Sequence, residues 1–502
     1  MKKLHFLSYQ CPSDKDTFEE AAVSLLNQKN QNWEWTLIPE LALKNTSGSF
    51  RQKLVSHPKV NFTSELDFVE EFDFAKNWAY VFFDTNFKLE PNFVDQIEIH
   101  HKAWQFDLLY SDVEILGDGD LQNKIWRRPK RDLERLFNSD YLFGALVVSQ
   151  KNIDQLSKDC KKNIWMVEHN ATFAIIAGNR NVHHVFEPLI SASEEYLFEK
   201  TNNVDHDRLE IAANTAASQG RGFVRALGPT GNWALRRMAK EKTTISIVVP
   251  TRGDKKRVWG IETDLIENVI KSLFEKTSTE EFEVVVVHDV NEAFIEHKAS
   301  LAQYGDRVKL VLFEKPFNFA EKCNIGALNS SAEVLVFLND DIEVIDSWWL
   351  DHLVGYLESK TVGAVGPVLL LDNGQVQSAG HVNEPLPANY YSQEPFGLKA
   401  FPEALDVPCE VSGLTAACIA VRRKIFDEVG GFCEDLPNNF NDVDFCMKIQ
   451  ETGRSLIWTP LAKLYHFETT TRDTKVTEEE TEFMMDRWGR TFGVDLHRSR
   501  ID

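Results

Sequence analysis

The feature that most constrains the fold of this chain is a short apolar segment that runs directly into an acidic one. Val334–Leu338 consists of valine, leucine and phenylalanine, and Asn339, Asp340 and Asp341 follow it at once. Such a run, rich in β-branched residues, is typical of a strand buried in a sheet. Ligand sites of open α/β sheets lie beyond the carboxyl ends of their strands. The segment therefore predicts an α/β sheet with acidic side chains at its ligand-binding edge.

The acidic pair at the end of this strand predicts a cation site. Two adjacent carboxylates repel each other unless a cation or a hydrogen-bond network holds them. Mg²⁺ and Mn²⁺ favour carboxylate oxygen and commonly share their coordination sphere with a substrate phosphate. A solvated acidic turn is the plainer interpretation, and the rest of the chain decides between the two.

The whole chain reads as two α/β domains with a connection between them. Its 502 residues favour two or three domains. Apolar segments alternate with helical ones, which indicates mostly parallel sheets with helices on their faces. Between about residues 205 and 243 this pattern loosens, and Gly228–Gly231 is a strong turn signal. We predict a first domain over residues 1–204, a linker over 205–243 and a second domain over 244–502.

Composition excludes several classes of protein. A formal net charge of -22 argues against nucleic acid or an anionic membrane as partner, because phosphates are repelled. No segment approaches the ~20 apolar residues of a membrane span, and the first residues turn polar too soon for a signal peptide. The seven cysteines show no CxxC spacing, which predicts reduced thiols in a cytoplasmic protein. An anionic small substrate would then need a metal ion or a few arginines.

The two halves of the chain repeat each other weakly but in order. Residues 81–87 align without a gap with residues 336–342, and each segment precedes an aromatic-bearing helix. Residues 144–148 share a small-then-apolar pattern with residues 416–420. An ordered internal match of this kind predicts two copies of one fold.

The two copies differ where chemistry would take place. No histidine of the first half clearly corresponds to His466, although His183 and His184 lie nearby in sequence. A metal site and a base can hardly be rebuilt from the replacements, so we predict one active domain and one scaffold or recognition domain. The replacements are Thr85 and Asn86 for the acidic pair, and Asn170 and Thr172 for Asp442 and Asp444.

Six motifs of the second half together resemble the inverting family-two glycosyltransferases of the GT-A fold. The resemblance covers about Thr244 to Gly493. Asparagine replaces the first acid of two motifs, at positions 339 and 441, which leaves the essential roles to Asp341 and Asp442. In order, the motifs are Val249–Arg252, Asp289, Phe317–Phe319 with Asn324–Ala327, Asn339–Asp341, Asn441–Phe445 and Tyr465–Arg472.

The first half resembles, more loosely, the degenerate GT-A-like module that precedes this domain in some bacterial two-domain members. Phe83–Asn86 and Tyr110–Asp112 carry that similarity. The resemblance implies two tandem GT-A-like domains with mostly parallel sheets, of which the second is catalytic.

The resemblance also implies roles for individual residues. Asp442 is the expected base, which takes the proton of an acceptor hydroxyl as an oxocarbenium-like transition state forms. Each role has a structural alternative. Asp444 would instead cap a helix, and His466 would be a hydrogen-bonded histidine of the core. Trp348 and Trp349 would anchor their helix to the core. The expected metal ligands are Asp341 and His466 with Asp340; the nucleotide-binding residues are Pro250, Thr251, Arg252, Asp289, Asn324, Asn339 and Arg472; and the acceptor or sugar contacts are Trp348, Gly413, Thr415, Asn441 and Asp444.

The implied activity is a metal-dependent inverting glycosyl transfer, hexosyl in type, that uses Mn²⁺ or Mg²⁺. The donor would be a nucleoside-diphosphate sugar, UDP-linked, and the acceptor a hydroxyl of a glycan, lipid-linked or glycoprotein substrate of bacterial surface glycan synthesis. The location would be cytoplasmic or peripheral to the inner face of the membrane. The first domain would support a homodimer or dock a partner glycosyltransferase. The alternatives are a bifunctional two-site glycan polymerase and a carbohydrate-binding or assembly protein without turnover.

Overall fold

The structure is a computed structural model of the chain, which divides into two compact units. The first comprises Met1–Thr215 with Ser499–Asp502, and the second comprises Ala216–Lys399 with Ala404–Arg498. These bounds do not test the domain boundaries predicted from sequence, which stay a prediction. The structure describes all residues except 1, 10–11, 13, 39–45, 65–67, 69–71, 118–120, 179, 203–205, 219–222, 228–232, 238, 240–242, 280, 385, 398–404, 406, 468–475, 496 and 498–499.

The first unit is built on a ten-stranded mixed sheet. Across the sheet, its strands are Val60–Phe62, Trp33–Leu37, Leu4–Ser8, Ala79–Phe83, Ala145–Ser149, Leu108–Leu116, Val182–Ser193 and Lys88–Leu89, while Ile125–Arg127 pairs with Leu108–Leu116 and in turn with Arg500–Ile501. The helices are Lys15–Leu26, Gly48–Val55, Phe93–Trp104, Leu133–Asn138, Gln150–Asp154, Ile164–Ala177, Glu194–Asn202 and His206–Ser218, with a 3₁₀ turn at Asp159–Lys161.

The second unit holds another ten-stranded sheet and three two-stranded hairpins. The strands across its sheet are Val308–Phe313, Phe282–Asp289, Ile245–Thr251, Val334–Leu338, Cys418–Arg422, Val362–Leu370, Ser455–His466 and Ile342–Val344, with Val376–Ser378 on Val362–Leu370 and Cys409–Glu410 on Ser455–His466. The hairpins are Phe223–Leu227 with Trp233–Arg237, Lys255–Val258 with Ile261–Asp264, and His381–Val382 with Ala388–Asn389. The helices are Leu265–Lys276, Ala293–Leu301, Phe319–Leu328, Trp349–Leu357, Arg423–Glu428, Asn441–Glu451 and Glu478–Trp488, with 3₁₀ turns at Ala302–Arg307 and Gly489–Thr491.

The strand Val334–Leu338 lies inside the second sheet, as its composition predicts. Val336 packs into one hydrophobic cluster and Phe337 into another on the opposite face. Successive side chains of a strand point to opposite faces, so a strand covered on both sides must be apolar throughout. All five of its residues are buried. The predicted α/β architecture, with two mixed and largely parallel sheets, is confirmed.

The two sheets share one strand order and one pattern of parallel and antiparallel neighbours, so the internal repeat is confirmed. Both the strand Ala79–Phe83 and the strand Val334–Leu338 have one parallel and one antiparallel neighbour. Asp84 N donates to Gly144 O at 2.7 Å, and Asn339 N donates to Ala417 O at 3.0 Å. Asp84 therefore corresponds to Asn339, as aligned from sequence. Gly144 corresponds to Ala417, one residue beyond the predicted match.

The register of the sheets changes one part of the sequence alignment. Leu109 and Val365 hold equivalent places, because they pair with the equivalent residues of their antiparallel neighbours. Their partners on the other side are His183 and Ile457. Asp442 precedes Ile457 by as many residues as Glu168 precedes His183. Glu168, and not Asn170, is therefore at the position equivalent to Asp442. Sequence patterns alone do not show which residues of the two helices are equivalent. The strand pairs fix the equivalent strand residues, and the helix residues are counted back from them.

Further predictions concern the connection, the cysteines and the membrane. The predicted linker contains the helix His206–Ser218 and the hairpin Phe223–Leu227 with Trp233–Arg237, whereas the turn signal at 228–231 lies outside the described residues. Six cysteines are described and all are free thiols, and Cys11 lies outside the described residues. Within the described chain, no helix has the length and apolar character to cross a bilayer.

Candidate active site

Asp340 lies just beyond the strand Val334–Leu338 and is fixed by the neighbouring strand. The hydroxyl of Thr251 donates to Asp340 Oδ2 at 2.6 Å, and the same hydroxyl accepts from Gly253 N at 2.9 Å. Burial, and then the charge of Asp341, raise the pKa of Asp340 to about 7. The two carboxylates are therefore crowded together, as the sequence suggested.

Asp341 and His466 are brought together by a strand pair. Ile342–Val344 pairs antiparallel with the end of Ser455–His466, which places Ile342 opposite His466. His466 Nε2 lies 3.1 Å from Asp341 Oδ1, and both residues are buried. The side-chain amide nitrogen of Asn339, Nδ2, lies 3.4 Å from His466 Nε2. Two residues far apart in sequence thus share one corner of the sheet edge.

This corner offers suitable donors for a divalent cation. A carboxylate oxygen and an imidazole nitrogen are the donor types that Mn²⁺ accepts, and a second carboxylate stands next to them. Among the described residues, no group of three or more His, Cys, Asp or Glu side chains surrounds one common point. A cation held by Asp341 and His466 would therefore complete its sphere with water and substrate oxygen, as is usual at phosphate sites. The residues present fit such a cation.

Asp442 stands at the beginning of the helix Asn441–Glu451. The preceding residue, Phe440, has a left-handed backbone with φ 57°, so the chain enters the helix by a sharp turn. Asp442 Oδ1 accepts from Val443 N at 2.9 Å and Oδ2 from Ala416 N at 3.2 Å. These bonds tie the half-buried carboxylate to the loop before the strand Cys418–Arg422. That loop carries the predicted acceptor residues.

The loop opposite Asp442 is compact. Gly413 O accepts from His381 N at 2.8 Å. The hydroxyl of Thr415 accepts from Ala417 N at 3.2 Å, and Thr415 itself is half-buried. The loop therefore has a fixed shape beside the candidate base.

The nucleotide side contains a residue that sequence analysis missed, Lys322. Its ammonium lies 2.5 Å from Asp289 Oδ1 and donates to Thr251 O at 2.8 Å. The side chain is fully buried against the ring of Phe317, and burial lowers the pKa of Lys322. A lysine next to the buried Cys323 in the helix Phe319–Leu328 was the available signal.

The other residues predicted on this side lie near the same strand end. Pro250 and Thr251 are the last residues of the buried strand Ile245–Thr251. The guanidinium of Arg252 stacks over Phe317 at 3.9 Å from the ring centre, and the Arg252 carbonyl accepts from Asn291. Arg472 lies outside the described residues.

Two predicted contact residues are engaged in structural bonds. The amide of Asn324 exchanges hydrogen bonds with the backbone of Phe432, at 2.9 and 3.0 Å. Asp444 is fully buried and bonds with Lys448, Arg487 and Trp488. Asp444 thus ties the helix Glu478–Trp488 to the site helix, which agrees with the structural alternative for this residue.

Among the other residues predicted to contact sugar or acceptor, two make structural hydrogen bonds and one is exposed. Trp349 is fully buried and donates to Thr277 Oγ1 at 3.0 Å, so it anchors its helix to the core. Trp348 is 49% exposed. Asn441 is buried, and its amide donates to Asn438 O at 3.1 Å.

Comparisons with known proteins relate the second unit to a family of glycosyltransferases. Residues 246–430 match the family model described as "Glycosyl transferase family 2". The O-antigen biosynthesis protein RfbC of Myxococcus xanthus is 26% identical over 478 residues, 90% of this chain and 36% of that protein. An uncharacterized protein of Sinorhizobium fredii, y4gI, is 28% identical over 62% of this chain and 35% of its own length. The chain thus spans about a third of the length of these curated relatives.

Solved structures of lower similarity were also found. GalNAc-T7 with UDP, GalNAc and Mn²⁺ has a TM-score of 0.39 and 16% identity, covering 52% of this chain and 51% of that one. The mannosyltransferase PcManGT of Pyrobaculum calidifontis, with GDP-Man and Mn²⁺, has a TM-score of 0.35 and 18% identity, covering 47% and 60%. At TM-scores below 0.5, these similarities say nothing about the ligands of this chain.

Proposed function

We propose that this chain, which carries a glycosyltransferase family 2 domain in residues 246–430, transfers a sugar from a nucleoside-diphosphate sugar to a hydroxyl of a glycan or glycoconjugate. The transfer inverts the anomeric carbon and uses a UDP-sugar with Mn²⁺ or Mg²⁺. The name of the Myxococcus relative supports a place in bacterial surface glycan synthesis. The free thiols of the described cysteines support a cytoplasmic location.

The observation that carries this proposal is the corner formed by Asp340, Asp341 and His466. His466 Nε2 and Asp341 Oδ1 are 3.1 Å apart, beyond the carboxyl ends of the sheet strands. A divalent cation bound there would offset the negative charge that develops on the leaving diphosphate. Thr251 holds Asp340 in place by its 2.6 Å hydrogen bond, so the acidic edge is ordered before any substrate arrives.

Asp442 acts as the general base in this proposal. A sugar hydroxyl is a poor nucleophile at neutral pH, and a carboxylate at hydrogen-bond distance takes its proton as the new bond forms. The two backbone donors, Val443 N and Ala416 N, fix the direction of the carboxylate. Asp442 is half-buried, so an acceptor can still reach it.

The nucleotide lies against the strand ends Pro250–Arg252 and Asp289. Lys322 holds Asp289 through the 2.5 Å ion pair, which orients that carboxylate for the nucleoside. Arg252 adds a guanidinium, whose planar donors suit a phosphate. Trp348 offers an exposed aromatic face for a sugar ring.

The test is a nucleotide-sugar hydrolysis panel with Mn²⁺ on the full chain. The wild type should release nucleoside diphosphate from one donor, and Asp341→Ala and Asp442→Asn should abolish that release. Asn86→Ala, at the position equivalent to Asp341 in the first unit, is the matched control and should retain it. Activity that survives both losses would reject the assigned site. Absence of hydrolysis for every donor, with intact fold, would favour the binding protein without turnover.

A further inference from the structure

A buried histidine beside the candidate base has no assigned role. His381 belongs to the short strand His381–Val382 and is only 8% exposed. Its backbone N–H donates to Gly413 O at 2.8 Å, which fixes the residue against the loop opposite Asp442. The ring atom Nδ1 is buried and has no hydrogen-bond partner among the described residues. Buried polar atoms are nearly always paired, so an unpaired one needs an explanation.

A second unpaired polar atom lies two residues further on. Asn383 is 4% exposed, and its side-chain Oδ1 also lacks a partner within the described chain. Its backbone N–H donates to Asp495 Oδ2 at 2.9 Å, and its amide nitrogen reaches Ser412 O at 3.5 Å. Residues two apart along an extended chain point to the same side. His381 and Asn383 thus both adjoin the segment that contains Ser412 and Gly413.

Gly413 packs closely against the ring of His381. A Cβ atom at this position would lie 3.1 Å from His381 Nδ1 and equally close to His381 Cβ. Because Gly413 has no side chain, the loop can lie this close to the unpaired nitrogen. Burial lowers the pKa of His381, and the nearby charge of Asp442 opposes this shift.

We propose that His381 and Asn383 form a subsite that binds hydroxyl groups of the acceptor sugar next to Asp442. This inference rests on the proposed transfer reaction. A neutral imidazole nitrogen and an amide oxygen match the neutral, hydroxyl-rich edge of a sugar residue, and they offer no charge for a phosphate. Two such groups on one side of the chain suit neighbouring hydroxyls. The pair therefore selects the acceptor and orients it toward the base.

The first experiment measures binding of simple sugars without any donor. Methyl glycosides of glucose, galactose, mannose, rhamnose and N-acetylglucosamine are titrated into the full chain, and binding is followed by saturation-transfer difference NMR. We expect at least one glycoside to bind the wild type. His381→Phe and Asn383→Ala should each weaken that binding about tenfold or more, since each variant lacks one of the two hydrogen-bonding groups.

Two further variants separate the subsite from general stability. Gly413→Ala leaves both polar groups in place and adds a methyl group 3.1 Å from Nδ1, so it should weaken glycoside binding as well. Asn152→Ala removes a buried asparagine of the first unit whose amide bonds Asp107 and Ser149, and it should leave binding unchanged. Melting temperatures of all variants are measured in parallel.

A kinetic split gives a second readout. With the donor identified, His381→Phe should raise the acceptor KM about tenfold or more, whereas Asn152→Ala should change neither the acceptor KM nor donor hydrolysis. Absence of glycoside binding to the wild type, or binding that persists in both His381→Phe and Gly413→Ala, would overturn the subsite. A water molecule that stays ordered between His381 and Asn383 when a glycoside is bound would also overturn the subsite. Absence of donor hydrolysis in the wild type would instead count against the transfer reaction, because glycoside binding is measured without donor.

Discussion

The ends of two equivalent strands, Ala79–Phe83 in the first unit and Val334–Leu338 in the second, carry different chemistry on one topology. In the second unit Asp340 and Asp341 crowd together beside His466. In the first unit the corresponding positions are Thr85 and Asn86. The strand register places Ala192 where the second unit has His466, because Lys88 and Glu343 hold equivalent places and pair with Ser191 and Tyr465. The first unit thus has neither residue of the proposed metal pair at the equivalent positions.

The first unit has closed its equivalent cleft with its own side chains. Tyr9 follows the strand Leu4–Ser8, is equivalent to Pro250 by strand register, and donates to Glu168 Oε2 at 2.5 Å. Tyr196 donates to Asp84 Oδ2 at 2.5 Å. The depression lined by Tyr9, Asp84 and Glu168 has room for a group about the size of a water molecule. One fold can therefore keep its sheet while the side chains at its strand ends change from a crowded acidic pair to tyrosine–carboxylate hydrogen bonds.

The largest expected effect is on donor turnover, which should depend on Asp442 and not on Glu168, the equivalent carboxylate of the first unit. Asp442→Asn keeps the shape of the side chain but cannot take a proton, so donor turnover should fall by about 10²–10⁴-fold. Glu168→Gln should leave turnover unchanged, because the first unit lacks metal ligands. Release of nucleoside diphosphate measures both. A comparable loss in Glu168→Gln would break the comparison and revive the bifunctional polymerase.

The next effect concerns the acidic pair itself. Asp341→Ala removes one of two proposed cation ligands and should lower turnover by about 100-fold or more, which corresponds to about 3 kcal/mol of transition-state stabilisation. The Mn²⁺ concentration for half-maximal activity should rise as well. In the first unit, Asn86→Asp should create no activity, because Ala192 supplies no imidazole. Activity in the double variant Asp341→Ala with Asn86→Asp would contradict the assignment of one active unit.

A smaller effect is expected on the stability of the first unit. Burial raises the pKa of Glu168 from 4.5 to about 8, so the folded state holds a proton that the unfolded chain releases. This stabilisation is fully present below the unfolded pKa and is lost as pH rises through the folded one. Between pH 5.5 and pH 8, the free energy of unfolding of Glu168→Gln should therefore rise relative to that of the wild type by on the order of a few kcal/mol.

Calorimetry of the full chain at the two pH values measures this difference. Glu34→Gln is the control, since hydrogen bonding to His5 lowers the pKa of Glu34 to about 2 and its titration ends far below pH 5.5. The control should differ from the wild type equally at both pH values. An equal difference for Glu168→Gln as well would show that Glu168 is ionised in the folded state.

The smallest effect tests the buried lysine of the second unit. Lys322→Met removes the partner of Asp289 and should raise the donor KM by about tenfold, with about 1–3 kcal/mol of lost stability from the unpaired carboxylate. Lys315→Met removes an exposed ion pair with Glu321 and should change neither quantity measurably. Donor kinetics and urea unfolding check both variants. An unchanged KM in Lys322→Met would limit this lysine to a structural role.

The sequence by itself determined the sheet architecture, the repeat and the identity of the acidic edge. The apolar strand before Asp340 can only be stable when covered on both faces, and it is. Local composition is enough for such a conclusion, because burial and the period of a strand act over a few residues. The order of motifs likewise pointed to the family that residues 246–430 match.

Only the tertiary structure decided which side chains meet. The pairing of Ile342 with His466 creates the Asp341 contact, and the strand register puts Glu168 opposite Asp442. Lys322 reaches Asp289 through packing of its helix on the sheet. These relations join residues distant along the chain, and a one-residue slip would turn every side chain of a strand to the other face. Register and packing are set by the whole core, and a single sequence pattern does not contain them.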